Sequence, residues 1–320
     1  MNVNPRTSIT YKYIEIILIF GIVLIYSWST YQRNFVWKDD VNLWSDVVRK
    51  SPEKFRAHNN LADAYFREKK EYNVATAEFK ESLRINPRAE KSHIGLGNVY
   101  REKKLLDEAI AEYKEALKLQ PNSPEAFYSI GAIYAKKELW DMAISYYENA
   151  LRLRPGFLQA SYALGNAYEQ KGLLDQAIYQ YQIVLKTDPD SAEAYYNMGI
   201  VYDKQGFLNK AIASYQQALS IRPKYPQARS NLGIIYGRTG RVNEAINLFQ
   251  SALTINPEDP ITLFNLAVAY EESAKNYELR AKRYEQEDLI NKAIATYQKV
   301  LKIEPENEDA RHRLNRLIKK

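Results

Sequence analysis

The chain has 320 residues, no cysteine and a formal net charge of +6. The absence of cysteine excludes disulfides, thiolate-bound zinc and thiol catalysis. Acidic and basic residues are interspersed along the sequence, which does not indicate the one-sided basic surface of a nucleic-acid-binding protein.

The amino-terminal region is predicted to be a membrane anchor. Residues 1–12 form a short polar tail, and residues 13–31 contain an apolar run with aromatic residues towards its two ends. As a helix at ~1.5 Å per residue, residues 11–31 match the ~30 Å hydrocarbon core of a bilayer. Aromatic residues at both interfaces favour a spanning helix. We therefore predict one transmembrane helix over residues 13–31.

A cleaved signal peptide is the alternative to a retained anchor, because a basic segment precedes a short apolar core. The bulky residues Trp28, Tyr31 and Phe35 that follow the core disfavour cleavage. A basic tail before a single anchor is more often cytoplasmic. We therefore expect residues 1–12 in the cytoplasm and the rest of the chain on the extracytoplasmic side, in the periplasm or a lumen.

Residues 32–53 are predicted to contain one amphipathic helix that ends at Pro52. The spacing of Trp44, Val47 and Val48 before that proline matches the second half of the repeat described next, without its first half. A repeat array needs a terminal helix to cover its first apolar face. We interpret this segment as an amino-terminal cap.

From residue 124 to residue 257 one pattern returns every 34 residues. Each copy has a glycine, then a tyrosine, an alanine and a proline at fixed distances from it. The glycines are Gly131, Gly165, Gly199 and Gly233, and the prolines are Pro155, Pro189, Pro223 and Pro257. Between them apolar residues follow the helical period, and Gly172, Gly206 and Gly240 stand where a first helix should end. Each copy is therefore predicted to be two helices joined by a turn.

This pattern resembles the tetratricopeptide repeat family, whose 34-residue units are helix-turn-helix pairs. The resemblance implies an all-α fold, a right-handed α-solenoid. Positions are numbered 1 to 34 in each unit, with the glycine at 8 and the proline at 32. Seven units fill residues 54–305, and residues 306–320 form a carboxy-terminal capping helix. The last unit has 14 additional residues within 271–289, whose composition predicts longer helices, on the first helix alone or on both.

The sequence shows no catalytic, cofactor-binding or metal-binding set. The three histidines, His58, His93 and His312, lie in different units, and the first two occupy position 4, where other units have Phe127 or Tyr195. A structural role is the favoured interpretation. No phosphate-binding loop or nucleophile motif occurs. We predict a protein that is not an enzyme, has no cofactor and binds neither nucleic acid nor a small-molecule substrate.

The candidate functional residues lie on the first helices, which line the concave face in the family that the pattern resembles. An aromatic residue recurs at position 5, and asparagine recurs at positions 6 and 9. An exposed amide can donate to and accept from a peptide backbone, and tyrosine adds apolar area with a polar tip. We therefore predict that protein or peptide partners bind at Asn60, Asn98, Tyr128, Tyr162, Asn166, Tyr196, Asn197, Asn231, Phe264 and Asn265.

The asparagines at position 6 are similar to the ladder in repeat domains of O-linked N-acetylglucosamine transferases, which hold extended peptides. Here Gly95, Ser129 and Ala163 interrupt the ladder. In another interpretation these asparagines only cap or hydrate the helix surface.

The order of apolar span, RNFVWKDDVNLWSDVVRKSP and repeats resembles the carboxy-terminal part of transmembrane and tetratricopeptide-containing O-mannosyltransferases. The leading hypothesis is a membrane-anchored scaffold that binds peptide segments or helices of partner proteins in its concave groove. The alternative is a substrate-holding or truncated component of a membrane protein-glycosylation system. An adjacent gene for a multi-span transferase would favour that alternative.

Overall fold

Helices form the regular secondary structure of the residues that the structure, a computed structural model, describes: 18–31, 37–278 and 283–319. The chain divides into two compact units, Met1–Lys137 and Glu138–Lys320. The first unit contains α1 (residues 18–31), α2 (Asp40–Lys50), α3 (Phe55–Ala64), α4 (Tyr72–Ile85), α5 (Glu90–Glu102), α6 (Leu106–Leu119) and α7 (Pro124–Lys136). The second unit contains α8 (Trp140–Leu153), α9 (Leu158–Gln170), α10 (Leu174–Thr187), α11 (Ala192–Lys204), α12 (Leu208–Ile221), α13 (Pro226–Arg238), α14 (Val242–Leu253), α15 (Pro260–Glu278), α16 (Arg283–Ile303) and α17 (Glu308–Ile318).

The helices pair as hairpins, with α9 on α10, α11 on α12 and α13 on α14. The turn inside each of these hairpins needs a residue in the left-handed conformation. Gly172, Gly206 and Gly240 supply it, with φ of 76°, 78° and 79°, because glycine adopts this conformation without steric cost. The predicted all-α solenoid of helix-turn-helix repeats is confirmed.

The first repeat accommodates one additional residue as a π-helical turn. Tyr65–Lys69 follow α3 with this geometry, and Lys70 then takes a left-handed conformation with φ of 54°. A single π-helical turn at the end of an α-helix absorbs such an insertion locally. As a result α3 still packs on α4 and α5, as the first helix of a hairpin should.

The core lies between the two helices of each hairpin, where a ring at position 24 fills the space beside a small residue at position 8. A Cβ atom added to Gly165 would lie 2.7 Å from Tyr181 Cε1, and one added to Gly199 would lie 2.6 Å from Tyr215 Cε1. Both tyrosines are buried. Glycine at position 8 therefore allows these helices to approach closely.

The histidines at position 4, His58 and His93, each contact the proline that precedes their repeat and a glutamate of their own repeat. His93 Nδ1 lies 2.7 Å from Glu112 Oε2, and His93 Nε2 lies 3.2 Å from the carbonyl oxygen of Pro87. Both partners are acceptors, so the charged ring satisfies both, and the hydrogen bond with Glu112 raises the pKa of His93. His58 makes the same two kinds of contact one repeat earlier. These contacts give His58 and His93 a structural role.

The helix over residues 18–31 is apolar and exposed. Ile25, Tyr26 and Trp28 are 70%, 70% and 64% exposed. Within the three described ranges, no helix combines the length and the apolar character that a membrane crossing requires. The first five residues of the predicted span over residues 13–31 lie outside the described residues. The predicted tail over residues 1–12 and residues 32–36 of the predicted cap also lie outside them. The remainder of the cap contains α2, which packs on α3 through Val41 and Trp44.

The additional residues of the last repeat lengthen both of its helices. α15 has 19 residues and α16 has 21, whereas α5 and α6 have 13 and 14. Residues 279–282, between α15 and α16, lie outside the described part. Near the inner end of this extension, buried Glu271 accepts hydrogen bonds from Arg313 Nη1 at 3.1 Å and from Arg316. Ion pairs therefore hold α17 to α15.

We expect Gly165→Ala to destabilise the protein by ~1–3 kcal/mol, because the new methyl group overlaps the buried ring of Tyr181. Gly237→Ala is the matched control, since Gly237 also lies in a first helix but a Cβ atom there meets nothing within 4 Å. Alanine has the higher helix propensity, so this control should be as stable as the parent or more stable. Denaturation midpoints measure both effects, and equal midpoints for the two variants would contradict the close approach.

Candidate functional site

Tyrosine and asparagine side chains of α9, α11 and α13 form a hydrogen-bonded row. Asn197 Nδ2 on α11 donates to the hydroxyl of Tyr162 at 2.8 Å and to Asn166 Oδ1 at 2.9 Å, both on α9. One repeat further, Asn231 Nδ2 on α13 donates to the hydroxyl of Tyr196 at 3.3 Å. We call these five residues the Asn–Tyr row. Positions 5 and 9 of one repeat thus meet position 6 of the next.

Buried tyrosines at position 24 reach the asparagines at position 9. The hydroxyl of Tyr181 donates to Asn166 Oδ1 at 2.7 Å, and in the first compact unit the hydroxyl of Tyr113 donates to Asn98 Oδ1 at 2.7 Å. Burial raises the pKa of both phenols, so each stays a protonated donor at neutral pH. The sequence predicts partner binding at Asn98 and Asn166. In the structure they also satisfy hydroxyl groups of the core.

The Asn–Tyr row presents acceptors rather than amide donors. Both N–H groups of Asn197 are used within the chain, whereas the Oδ1 atoms of Asn197 and Asn231 make no hydrogen bond with the described residues. Both asparagines are partly exposed. The hydroxyls of Tyr162 and Tyr196 accept from them and keep their own protons, because desolvation raises the pKa of both phenols. This differs from the expectation that each asparagine offers a donor and an acceptor.

The other candidate residues lie outside the row. Phe264 and Asn265 are partly exposed on α15. The ring of Phe264 lies 5.9 Å from the ring of Tyr297 and 5.9 Å from the guanidinium carbon of Arg313. In the first compact unit the partly exposed candidates are Asn60 on α3, Asn98 on α5 and Tyr128 on α7. The row therefore connects candidates of three repeats, while the remaining ones are placed separately.

Ion pairs link the same helices as the row. Lys204 Nζ on α11 lies 2.8 Å from Glu169 Oε1 on α9, and Arg238 Nη1 on α13 lies 2.6 Å from Asp203 Oδ1 on α11. Position 13 of one repeat thus pairs with position 12 of the preceding repeat. The sequence shows acids and bases at these positions, but the pairing needs the distances. Since Lys204 and Arg238 already have acidic partners, the row is flanked by neutralised charge.

The sequence alone did not identify a second group beside the row, an aromatic stack formed by Tyr196, Tyr225 and Arg222. The ring of Tyr225 lies 4.9 Å from the ring of Tyr196, and the guanidinium carbon of Arg222 lies 5.0 Å from the centre of the Tyr225 ring. Desolvation raises the pKa of Tyr225 to about 12. The available signal was an arginine at position 31 followed by an aromatic residue at position 34. The same pair recurs at Arg154 and Phe157, also 5.0 Å apart.

The chemistry of this surface is that of contact recognition. The Asn–Tyr row combines hydrogen-bond acceptors, hydroxyl donors and ring faces on the first helices, a combination that suits another polypeptide. No group of three or more acidic or histidine side chains that could hold a metal ion is found in the part of the chain that the structure describes.

Five family models, described as TPR repeat or tetratricopeptide repeat, match the chain. Their matches are residues 55–88, 97–138, 124–157, 165–206, 190–258 and 230–308. Together these ranges cover most of the sequence, and the chain belongs to the tetratricopeptide repeat family. It is a protein-interaction scaffold of the TPR type. Among curated proteins, no significant match to the sequence is found.

Solved structures of other repeat proteins are similar to this chain. YrrB, described as a TPR protein with an unusual peptide-binding site, is 26% identical over 58% of this chain and 95% of that chain, with a TM-score of 0.50. MamA is 30% identical over 54% of this chain and 94% of that chain, with a TM-score of 0.50. PilF of Pseudomonas aeruginosa shares the fold, at 14% identity, 71% and 96% coverage and a TM-score of 0.57. The resemblance to the two classes of O-glycosyltransferase stays a prediction.

We expect Asn166→Ala to destabilise the protein by ~1–3 kcal/mol, because the buried hydroxyl of Tyr181 loses its acceptor at 2.7 Å and keeps only the longer contact of 3.4 Å with Glu169 Oε2. Tyr181→Phe removes that hydroxyl, so the double variant should cost less than the sum of the two single variants. Denaturation of the three variants measures this coupling. Simple additivity would show that Asn166 does not support the Tyr181 hydroxyl.

Proposed function

We propose that the protein holds an extended peptide segment of a partner protein along the Asn–Tyr row. The observation that carries this proposal is that the Oδ1 atoms of Asn197 and Asn231 have no hydrogen-bond partner among the described residues. Both asparagines are partly exposed, as are the neighbouring Tyr162 and Tyr196. An extended peptide has backbone N–H groups without internal partners. Carboxamide oxygens can accept them, while the rings cover apolar parts of the segment.

The row is ordered before any ligand arrives. Asn197 is held by Tyr162 and Asn166, so its oxygen already has a fixed direction. Groups that are already ordered lose less conformational entropy on binding. Contacts with the backbone also tolerate many peptide sequences. The similarity to YrrB, a TPR protein with a peptide-binding site, favours the same class of ligand.

We also propose that residues 13–31 anchor the protein in a membrane, with the repeats on the extracytoplasmic side. Two observations on the described part of this segment support the anchor. Most side chains of residues 18–31 are apolar and exposed, and the rings of Trp28 and Tyr31 lie 6.1 Å apart near the carboxyl end of the segment. Such aromatic rings favour the boundary between hydrocarbon and water.

Membrane fractionation tests the anchor. We expect the full chain to stay with membranes after an alkaline carbonate wash, and a variant without residues 13–31 to be released, because the apolar segment supplies the membrane affinity. Protease should digest the repeats in sealed right-side-out vesicles. Release of the full chain by carbonate would refute the anchor, and digestion only in inverted vesicles would refute the orientation.

Peptide binding is tested by replacing Asn197 and Asn231 of the row, together with Asn265 at the same position of the next repeat, by alanine. Peptides selected from a random-sequence library on the parent protein should bind this variant at least about tenfold more weakly, because three hydrogen bonds of ~0.5–1.5 kcal/mol are lost. The helical circular dichroism signal should not change. The matched control replaces three exposed asparagines of second helices, Asn209, Asn243 and Asn291. Equal affinities for the two triple variants would remove the row as the peptide site.

A further inference from the structure

The junctions between consecutive repeats are of two kinds. Where position 5 is an aromatic or aliphatic residue, position 3 of the next repeat is alanine, as with Tyr162 and Ala194 or Ile94 and Ala126. Where position 5 is a small polar residue, position 3 of the next repeat carries a hydroxyl group, as with Ser230 and Thr262. There the Thr262 hydroxyl donates to Ser230 Oγ at 2.9 Å, and both residues are buried. A polar junction therefore replaces a tyrosine ring by a hydrogen bond between short side chains.

The space that this exchange leaves is a cavity of about 180 Å³ beside Ser230, between α13 and α15. We call it the Ser230 pocket. Its polar wall is formed by Gln227, Ser230, Asn256 and Asp259, and Pro226 and Ile261 are apolar. Cavities of roughly 150 Å³ in proteins bind benzene. The Ser230 pocket is therefore large enough for one planar group of a side chain.

The polar wall corresponds, position by position, to the aromatic stack of the preceding junction. At positions 2, 5, 31 and 34 that junction has Glu193, Tyr196, Arg222 and Tyr225, whereas the Ser230 pocket has Gln227, Ser230, Asn256 and Asp259. In the stack, the guanidinium group of Arg222 lies over the ring of Tyr225 and pairs with Glu193. The first junction therefore contains an arginine and two aromatic rings of the chain itself. At the Ser230 pocket the same positions have neither an arginine nor an aromatic residue.

The Ser230 pocket is complementary to a cation. Asp259 Oδ2 accepts the backbone N–H of Thr262 at 2.8 Å and caps α15, while Asp259 Oδ1 has no hydrogen-bond partner among the described residues. None of the described residues that line the pocket is basic. Guanidinium is planar, donates hydrogen bonds without accepting any, and is weakly hydrated. Its methylene arm can lie along apolar surface, which Pro226 and the 66% exposed Ile261 provide.

The other polar junction has a hollow of opposite charge. Between α3 and α5, Ser92 Oγ donates to Asn59 Oδ1 at 3.0 Å. Three basic residues and one acidic residue line this hollow, namely Arg56, Arg88, Lys91 and Glu90, so its charged side chains are positive in sum. These charges repel an arginine side chain. The complementarity to a cation therefore belongs to the Ser230 pocket and is not a general property of polar junctions in this chain.

We propose that the Ser230 pocket binds the side chain of an arginine in the partner peptide. The inference rests on the peptide-binding function of the Asn–Tyr row and adds a sequence preference to it. Tyr196 and Asn231 belong to the row and also line the pocket, so a peptide on the row passes the mouth of the pocket. The row recognises the backbone, and the carboxylate of Asp259 selects arginine at one place in the segment.

The test is a titration of the full chain with N-acetyl-arginine methylamide, followed by saturation-transfer NMR, with the citrulline analogue as a neutral isostere. We expect citrulline to bind at least about tenfold more weakly, the effect of one charge-assisted hydrogen bond. Asp259→Asn should weaken arginine binding by a similar factor. Asparagine caps a helix as well as aspartate does, so this variant keeps the fold. Ser230→Tyr combined with Thr262→Ala restores the tyrosine–alanine pair of the other junctions and should abolish arginine binding.

The matched control is Glu258→Gln, which removes a neighbouring charge that does not line the pocket. It should change the affinity for the arginine probe by less than about twofold, because exposed charges act weakly at a distance. Equal binding of arginine and citrulline, or an unchanged affinity in Asp259→Asn, would overturn the proposal. So would equal losses in Asp259→Asn and Glu258→Gln, which would indicate general attraction of a cation.

This outcome is separable from that of the Asn–Tyr row. The row is read out with selected peptides and the triple asparagine variant, whereas the pocket is read out with a single amino-acid derivative and Asp259→Asn. Failure of the arginine probe alone removes the pocket and leaves the row intact. Failure of the triple variant to lose peptide affinity removes the row, and binding of the probe at Asp259 remains measurable.

Discussion

A buried ring that packs against a small residue holds the two helices of each hairpin together, and the geometry of the Asn–Tyr row depends on this contact. Tyr181 packs where Gly165 has no side chain, and Tyr215 does the same at Gly199. This packing also determines the position of the phenol hydroxyl group. In the case of Tyr181, the hydroxyl lies 2.7 Å from Asn166 on the first helix. The core contact therefore fixes an asparagine that also bonds Asn197 of the next repeat.

The fold could be predicted from the sequence because its causes are local and repeat. Gly172, Gly206 and Gly240 mark turns that only a left-handed residue can make, and the structure has positive φ at all three. The insertion in the last repeat was predicted to be helical from its composition. How it divides between α15 and α16 depends on the packing of both helices, which composition does not contain.

The candidate site could be predicted only in part. The sequence shows that tyrosine and asparagine recur at positions 5, 6 and 9, and in the structure five of these residues form one hydrogen-bonded row. The period does not give distances between side chains of neighbouring repeats. The sequence therefore could not show that the donors of Asn197 are already used, or that Lys204 and Arg238 have acidic partners. The Ser230 pocket was missed for another reason: it arises where a repeat departs from the pattern, and departures are often functional.

Asn197 donates a hydrogen bond to the hydroxyl of Tyr162, and Asn231 donates one to the hydroxyl of Tyr196, so each bond joins two successive first helices. Because the first bond joins two hairpins while the ring of Tyr181 packs within one, a wider angle between α9 and α11 would stretch that bond. Once broken, that bond releases an amide donor of Asn197 into the surface that otherwise offers acceptors. The angle between neighbouring first helices therefore affects whether the row offers only acceptors or also an amide donor to a ligand.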